Sequence, residues 1–332
     1  MNSYTPSAWI AQFAGQSTPW RTELAELASD PAIAAKLGAI RDAAEKILAP
    51  VAPELLTVTG PMDLLGAPLD APENAGATVP GILLAQYGAY LDVREALPEP
   101  VAAVGHSQGV LGAAMLRDDH AQVLALARLI GAAATRATRR LDLGTVGEST
   151  PMLSVRGVTR SVLDSVLSRV PGSERISVGV TNGLQAYILS GRPADLERVV
   201  TALEAAAARS AKARKDRRRG GAVLAPVTEF LTTSVPFHTP LLAGAVDDVA
   251  TWAAACGLDE KLARELATAV LIDPVDWPGL VTGALRTGSA APVRTVLDLG
   301  PGNVLVRLTE GVVAGTGTTV VPAGTAKAID DL

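Results

Sequence analysis

A serine inside a glycine-bracketed pentapeptide is the residue of this chain best suited to nucleophilic chemistry. Residues 105–109 read G-H-S-Q-G, which is G-x-S-x-G spacing around Ser107. A short apolar run, Val101 to Val104, precedes the pentapeptide, and an alanine-rich stretch follows it. This order predicts a strand, a sharp turn and a helix with the serine at the apex, an arrangement known as a nucleophile elbow. The alternative is a glycine-rich turn that carries a serine by chance.

A serine nucleophile needs a base, and the chain contains three histidines. His106 lies within the turn itself, and we expect it to pack structurally rather than to act as the base. His120 follows a polar segment and is expected to be exposed. His238 lies where a predicted strand becomes a loop, and elimination makes it the predicted base. The alternative for His238 is a histidine buried in a loop for packing alone.

The group that orients the histidine is left open by the residues themselves. An acid near His238 is required if the site is a Ser-His-Asp arrangement. Asp273 and Asp276 are candidates, and so is a backbone carbonyl from the same segment.

The surrounding elements alternate between strands and helices, which is typical of an α/β fold. A first strand at Ile10–Phe13 leads into a loop that contains Gln16, and glycine- and proline-rich connections occupy residues 49–78. The predicted helices of the main body are Thr22–Leu48 with a break near Asp30, Gly81–Leu97, Ala121–Leu141, Leu241–Ala255 and Glu260–Thr268. Its later predicted strands are Val270–Trp277, Thr295–Leu297 and Thr319–Pro322.

In residues 148–231 the predicted elements follow a different order, β-α-β-β-α-β, which is that of a ferredoxin-like motif. The predicted elements are Pro151–Arg156, Arg160–Val170, Ile176–Val180, Ala186–Ser190, Ala194–Ala208 and Ala222–Phe230. We therefore predict an α/β-hydrolase-like core made of residues 1–147 and 232–332, with a ferredoxin-like domain inserted at 148–231. The site is expected in the cleft between the two.

Composition excludes several classes of protein. The 332 residues are 48% hydrophobic and carry a formal net charge of −5, which does not indicate nucleic-acid binding. The single cysteine, Cys256, excludes a disulfide framework and favours a reducing, cytoplasmic setting. We predict no signal peptide, no membrane span and no metal site. The basic run Arg209–Arg219 is either a solvated helix end or a docking surface for an acidic partner.

Four separated pieces of the chain resemble, in order, the acyltransferase domains of fatty acid and polyketide synthases. They are F-A-G-Q (13–16), G-H-S-Q-G (105–109), V-P-F-H-T-P (235–240) and D-L-G-P-G (298–302). Gln108 within the elbow, D-P-V-D-W (273–277) and V-P-A-G-T (321–325) look most like the starter acetyltransferase domain of bacterial type I fatty acid synthase.

The resemblance implies a role for each matching position. Ser107 would carry the acyl group and His238 would activate it. The backbone N–H groups of Gln16 and Gln108 would form the oxyanion hole. A backbone carbonyl would orient the histidine, by position that of Val270.

Two further positions are expected to contact the substrate. Asn182 matches an asparagine near the acyl pocket, and an ordinary hairpin asparagine is nearly as good an interpretation. Phe237 precedes the histidine. Ser17 departs from the pattern, because the loop glutamine is usually followed by a glycine.

The helix after the elbow indicates whether the transferred acyl group is charged or uncharged. Malonyl-transferring members carry an arginine there that grips the free carboxylate, as the bidentate guanidinium does well. Here Leu129–Thr135 is uncharged, between Arg128 and Arg136. A malonyl carboxylate would be buried without a partner, so an acetyl or other uncharged short acyl group is favoured.

The resemblance therefore implies ping-pong transfer of an acetyl group from CoA to an acyl carrier protein, the priming step of fatty acid synthesis. No tightly bound cofactor is expected; acyl-CoA is the substrate and the carrier's phosphopantetheine arm is the acceptor. Other fatty acid synthase domains are expected partners if the chain is part of a megasynthase. The alternatives are a malonyl or extender-unit transferase, a non-catalytic loading module, and a serine hydrolase such as a thioesterase. A hydrolase usually places its histidine late in the chain, whereas His238 precedes almost a hundred residues.

Overall fold

The computed structural model describes residues 8–16, 19–51, 75–143, 147–217, 224–287 and 293–323, with backbone alone for 213–217. Several predictions lie outside these residues: Ser17, most of the 49–78 connection, the basic residues Arg218 and Arg219, the beginning of the strand predicted from Ala222, and the last two residues of V-P-A-G-T.

The described chain alternates between helices and strands. Its strands are β1 (Trp9–Phe13), β2 (Ala102–Gly105), β3 (Met152–Arg156), β4 (Ser177–Gly183), β5 (Ala186–Ser190), β6 (Val227–Phe230), β7 (Val275–Asp276), β8 (Thr295–Asp298) and β9 (Thr319–Pro322). Its α-helices are α1 (Trp20–Leu27), α2 (Pro31–Leu48), α3 (Ala75–Val93), α4 (Val110–Met115), α5 (His120–Leu141), α6 (Arg160–Leu167), α7 (Pro193–Arg217), α8 (Ala243–Ala255), α9 (Glu260–Leu271), α10 (Trp277–Leu285) and α11 (Val304–Val313). Short 3-10 turns occupy Ser107–Gly109, Ser173–Arg175 and Pro240–Leu242.

A parallel sheet of four strands in the order β2-β1-β8-β9 forms the centre of the main body. Every residue of β1 is buried, because helices cover both faces of the sheet, as expected for parallel strands. Phe13 at the end of β1 pairs with Gly105 at the end of β2. The loops that carry Gln16 and Ser107 therefore leave the same edge of the sheet, where α/β folds place their sites.

A second sheet has the order β6-β3-β5-β4-β7. The pairs β3-β5, β3-β6 and β4-β5 are antiparallel, and together these four strands have the order of a ferredoxin-like sheet. The short strand β7, which follows in the later part of the chain, adds to β4 in parallel through Val180–Val275 and Thr181–Asp276. The fold is thus α/β, with an α/β-hydrolase-like body and a smaller ferredoxin-like unit hydrogen-bonded to it.

Helix α3 begins six residues earlier than the start predicted at Gly81 and contains Pro80. Proline cannot donate to the carbonyl four residues earlier, which here belongs to Gly76. The Arg128 guanidinium lies 3.5 Å from that carbonyl oxygen instead. The helix is buried on nearly all sides, so the gain from packing outweighs the lost backbone hydrogen bond.

The strand predicted at Val270–Trp277 is wrong over most of its length. Val270 and Leu271 complete the buried face of α9, only Val275–Asp276 is extended, and Trp277 begins α10. A short apolar run does not distinguish a strand from the buried stripe of a helix.

Helix α10 begins directly after this segment. Asp276 caps it by accepting from the backbone N–H of Gly279, and a proline lies in its first turn.

Helix α7 also differs from its prediction, since it continues from Ala208 to Arg217. The described part of the basic run is therefore helical. No helix among the described residues is long and apolar enough to cross a bilayer. Within the same residues, no cluster of three His, Cys, Asp or Glu side chains is arranged to hold a metal ion.

Candidate active site

The turn around Ser107 has the shape of a nucleophile elbow. Strand β2 ends at Gly105, and Ser107 takes a left-handed conformation with φ 56° at the start of the helical turn. A side chain would not fit at either flanking glycine. A Cβ atom on Gly105 would lie 2.1 Å from the Gly109 carbonyl carbon, and one on Gly109 would lie 2.2 Å from the Phe13 carbonyl oxygen. The serine is thus held at the apex by close backbone packing.

His238 reaches Ser107 from a segment 131 residues later. The Ser107 Oγ lies 2.7 Å from His238 Nε2. The histidine is 1% exposed and also has a left-handed backbone, with φ 59°. Both members of the pair therefore have backbone conformations that are uncommon for residues with a side chain and that mark functional sites when the surroundings enforce them.

The backbone carbonyl that faces His238 is that of Asp273, 2.7 Å from Nδ1. The prediction that Val270 supplies this carbonyl is wrong, because α9 runs on to Leu271 and the chain opens only afterwards. The side chains of Asp273 and Asp276 are not part of this contact. A second bond fixes the same region: the N–H of Thr239 donates to the Leu271 carbonyl at 3.2 Å.

The protonation of His238 follows from its surroundings. Burial lowers the pKa of its imidazole to about 4, while the Asp273 carbonyl acts in the opposite direction. The ring is neutral at neutral pH. Since a carbonyl can only accept, the single ring proton lies on Nδ1, and the Nε2 lone pair faces the serine hydroxyl.

His106 packs against one side chain from each unit of the fold. Its Nε2 donates to Asn182 Oδ1 at 2.7 Å, and its ring meets the edge of Trp277 at 5.4 Å between centroids. Burial lowers the pKa of this imidazole too. Asn182 lies on β4, so this contact joins the elbow to the smaller sheet.

His120 is half-buried rather than exposed. It packs on the ring of Tyr87 at 4.6 Å between centroids, and the phenol oxygen lies 3.2 Å from Nε2. It is the first residue of α5, whose N-terminus Asp119 caps.

The loops carrying Gln16 and Gln108 are joined by a direct hydrogen bond between their side-chain amides, with Gln16 donating and Gln108 accepting. Gln108 is 1% exposed. Its backbone N–H is in the first turn after Ser107, where helical N–H groups have no partner within the helix. Such a group is suited to receive a negatively charged oxygen.

A cavity of about 410 Å³ opens in front of the serine. Asn182 and Phe237, the two positions that the sequence suggests for substrate contact, both line it. Its other apolar walls come from both units of the fold: Met152, Val180, Ile188, Leu231 and Leu305.

Sequence reasoning missed the side chains that β3 presents to this cavity. Met152, Ser154 and Arg156 all line it. They are spaced two apart on one strand, so alternation along the predicted strand could have identified them as one face. Arg156 forms an ion pair with Glu229 at 3.1 Å, and both side chains are more than half exposed, at 53% and 64%.

The two arginines that flank the uncharged part of α5 lie away from the cavity. Arg128 is 2% exposed and faces the Gly76 carbonyl. Arg136 lies over the ring of Trp252, 5.4 Å from its centroid. Among the described residues lining the cavity, Arg156 is the one arginine or lysine.

A buried polar chain runs beneath the site. Trp277 Nε1 donates to Thr309 Oγ1 at 3.2 Å, and that hydroxyl donates to Gln12 Oε1 at 2.7 Å. Asp298 lies beside this chain, and its Oδ1 accepts from the Gly300 N–H at 3.2 Å. Its other carboxyl oxygen is buried and has no partner among the described residues. Burial raises the pKa of this carboxyl to about 7.

The chain has an α/β fold with a serine–histidine pair at a cleft between two sheets, and proteins of known structure share the fold. Residues 151–230 match the family described as the fatty acid synthase central AT domain. The fatty acid synthase beta subunit stcK of Emericella nidulans is 25% identical over 315 residues, which are 79% of this chain and 16% of that protein. The beta subunit aflB of the same organism is 30% identical over 159 residues, 42% of this chain and 8% of that protein. The chain spans less than a fifth of the length of these curated relatives.

Solved structures show the same fold over nearly the whole chain. An acyl carrier protein S-malonyltransferase from Vibrio cholerae superimposes with a TM-score of 0.71 at 19% identity, covering 98% of this chain and 99% of that one. A malonyl-CoA:acyl carrier protein transacylase from Xanthomonas oryzae pv. oryzae gives 0.69 at 21% identity, covering 98% and 97%. Together the comparisons confirm that the chain resembles the acyltransferases of fatty acid synthases, as its motifs indicate.

Proposed function

We propose that this chain moves a short acyl group from CoA to an acyl carrier protein through an acyl-serine at position 107. The observation that carries the proposal is the contact of 2.7 Å between Ser107 Oγ and His238 Nε2, at the floor of a cavity large enough for an acyl thioester. A neutral imidazole with its proton held on Nδ1 is the form that accepts a proton from a hydroxyl.

In the first half-reaction, Ser107 Oγ attacks the thioester carbonyl as its proton passes to His238 Nε2. The carbonyl oxygen becomes negative, and the backbone N–H groups of Gln16 and Gln108 stabilise it. The C–S bond then breaks, the imidazolium returns its proton to the leaving thiolate, and free CoA departs. The acyl group remains as an ester of Ser107.

In the second half-reaction, the carrier's phosphopantetheine thiol enters the same cavity. His238 accepts its proton, the sulfur attacks the ester carbonyl, and the same two N–H groups again hold the oxygen. Collapse of the tetrahedral intermediate restores the serine hydroxyl with the proton from the histidine. One site therefore serves both half-reactions, which is the structural requirement of a ping-pong transfer.

The transferred group in this proposal is acetyl or another uncharged short acyl group. The walls of the cavity are mainly apolar, and its one arginine, Arg156, is already paired with Glu229 at the exposed rim. Arg128 and Arg136 have other contacts. A malonyl carboxylate inside the cavity would lose its hydration without gaining a partner.

A malonyl transferase is the second candidate, because the solved structures with this fold include proteins named as malonyltransferases. It would require Arg156 to leave Glu229 and turn toward the substrate. The exposed pair is weak enough for that exchange.

The chain matches only part of its curated relatives, so we propose that it works beside other fatty acid synthase domains and receives a cytoplasmic carrier protein.

The proposed transfer is tested by supplying acetyl-CoA and a holo-carrier protein, with CoA release measured with and without the carrier. CoA release that requires the carrier, together with acetylated carrier, supports the proposal. Fast CoA release without any thiol acceptor would instead identify a hydrolase.

A further inference from the structure

A glycine of the smaller sheet lies directly against the candidate base. Gly179 is in the middle of β4, which pairs with β5. Val178 pairs with Leu189, and Val180 pairs with the next residue of β5, Ile188. Gly179 therefore has no pairing partner of its own on β5 and is an extra residue in β4. This is a β-bulge, a feature that locally redirects a strand and is common beside active sites.

The bulge brings the backbone of Gly179 into contact with His238. A Cβ atom built on Gly179 would lie 2.9 Å from His238 Cβ, 3.2 Å from the His238 carbonyl oxygen and 3.1 Å from Ser190 Oγ. The first of these distances is shorter than real Cβ contacts, so any side chain here requires a displacement. Rotation about χ1 does not move the His238 Cβ, and the backbone itself would have to move.

The backbone of His238 has little freedom to move. Its φ is already left-handed, at 59°. The next residue, Thr239, is bonded to the Leu271 carbonyl at 3.2 Å, and its hydroxyl accepts from Ser177 Oγ at 3.3 Å. Ser177 is on the same strand as Gly179, so β4 contacts the histidine segment twice.

We propose that Gly179 is a positioning residue for His238, and that the bulge of β4 sets the distance between the imidazole and the Ser107 hydroxyl. The inference rests on the proposed function and extends it, because it makes the ferredoxin-like unit part of the machinery that holds the base. Gly179 contacts the histidine backbone, and it acts on the reaction only through His238.

The test compares Gly179→Ala with Gly183→Ala. Both glycines lie on β4, but a Cβ on Gly183 would meet nothing within 4 Å, so Gly183→Ala is the matched control. The readout is the rate of acyl-serine formation from acetyl-CoA, followed by rapid quench and intact-mass analysis over a range of acetyl-CoA concentrations. For Gly179→Ala we expect the rate at saturation to fall about 10²-fold, the usual cost of a displacement near 1 Å in a reacting pair. The half-saturating concentration should not change, and Gly183→Ala should match the unsubstituted protein.

A structural defect is separated from a positioning role by repeating the substitution in a His238→Ala background. If Gly179 acts through the histidine, Gly179→Ala slows the residual reaction of His238→Ala no further. A slowing by the same factor in both backgrounds would overturn the inference.

Should Gly179→Ala fail to fold, Gly179→Ala/Ser190→Ala is the second variant, because it removes the 3.1 Å contact and leaves the 2.9 Å contact with His238. It should remain slow while Ser190→Ala alone reacts normally. A normal rate in the double variant would overturn the inference. If the unsubstituted protein forms no acyl-serine, the proposed function itself fails; if it does and Gly179→Ala is equally fast, only this inference fails.

Discussion

The side-chain amide of Gln16 donates a hydrogen bond to the side-chain carbonyl of Gln108, so the loop after β1 is tied to the turn that carries the serine. The backbone N–H groups of these same two residues form the oxyanion hole in our proposal. Their relative position therefore depends on a bond between their side chains.

We predict that Gln108→Leu, which conserves volume and removes the acceptor, slows acylation of Ser107 by about tenfold. The effect should be smaller than the roughly 10²–10³-fold cost of deleting an oxyanion-hole donor, since both backbone N–H groups remain. Gln16→Leu should have the same effect, and the double variant should be no slower than either one, because each change removes the same bond. Rapid-quench rates for the three variants decide this; multiplicative losses would show that the two side chains act separately.

The pH dependence of acylation follows from the burial of His238. Its pKa is lowered from the ordinary 6.5 to about 4, and the base is active only when neutral. Acylation should therefore stay constant from mildly alkaline pH down through 6.5 and fall only as the pH approaches 4. A rate profile of acyl-serine formation with a midpoint near 6.5 would contradict the buried geometry.

The raised pKa of Asp298 makes a prediction about stability. The unfolded carboxyl ionises above 3.8, whereas the folded one stays protonated up to about 7, so its contribution to stability is full below 3.8 and is lost as the pH rises to 7. Asp298→Asn does not lose stability in this way, because its amide is neutral at every pH and occupies the same place. The melting temperature of Asp298→Asn relative to the unsubstituted protein should rise between pH 4 and pH 7 and then level off. A difference that does not depend on pH would mean that the carboxyl is ionised in the fold.

The acyl group is tested by a panel of acetyl-, propionyl-, malonyl- and longer acyl-CoAs. We expect acetyl to acylate Ser107 at least about 10²-fold faster than malonyl, because an unpaired buried carboxylate costs several kcal/mol and each 1.4 kcal/mol is tenfold. Glu229→Gln releases Arg156 from its ion pair and should raise the malonyl rate relative to the acetyl rate, by less than about tenfold at so exposed a position. Equal acetyl and malonyl rates in the unsubstituted protein would favour the second candidate function.

Local patterns predicted the elements that carry the site better than the contacts between them. The apolar run, the two glycines and the serine at 101–109 specify the elbow, because the strand, the tight turn and the nucleophile are all encoded by adjacent residues. The carbonyl that faces His238 depends instead on where α9 ends, and an apolar run does not reveal that end, so Val270 was predicted in place of Asp273. The contact of Gly179 with His238 depends on a bulge in strand pairing, which no local pattern encodes. Arg156 lies on a correctly predicted strand, and only its face was missed.

The central claim is that the hydroxyl of Ser107 becomes acylated with His238 as its base. The most direct measurement is the intact mass of the protein after brief exposure to acetyl-CoA, with peptide mapping of the modified residue. We predict one acetyl group on Ser107, none in Ser107→Ala, and formation slowed by about 10²–10⁴-fold in His238→Ala. An unmodified protein with every acyl-CoA tested, or a Ser107→Ala variant that is acetylated as fast as the unsubstituted protein, would contradict the account.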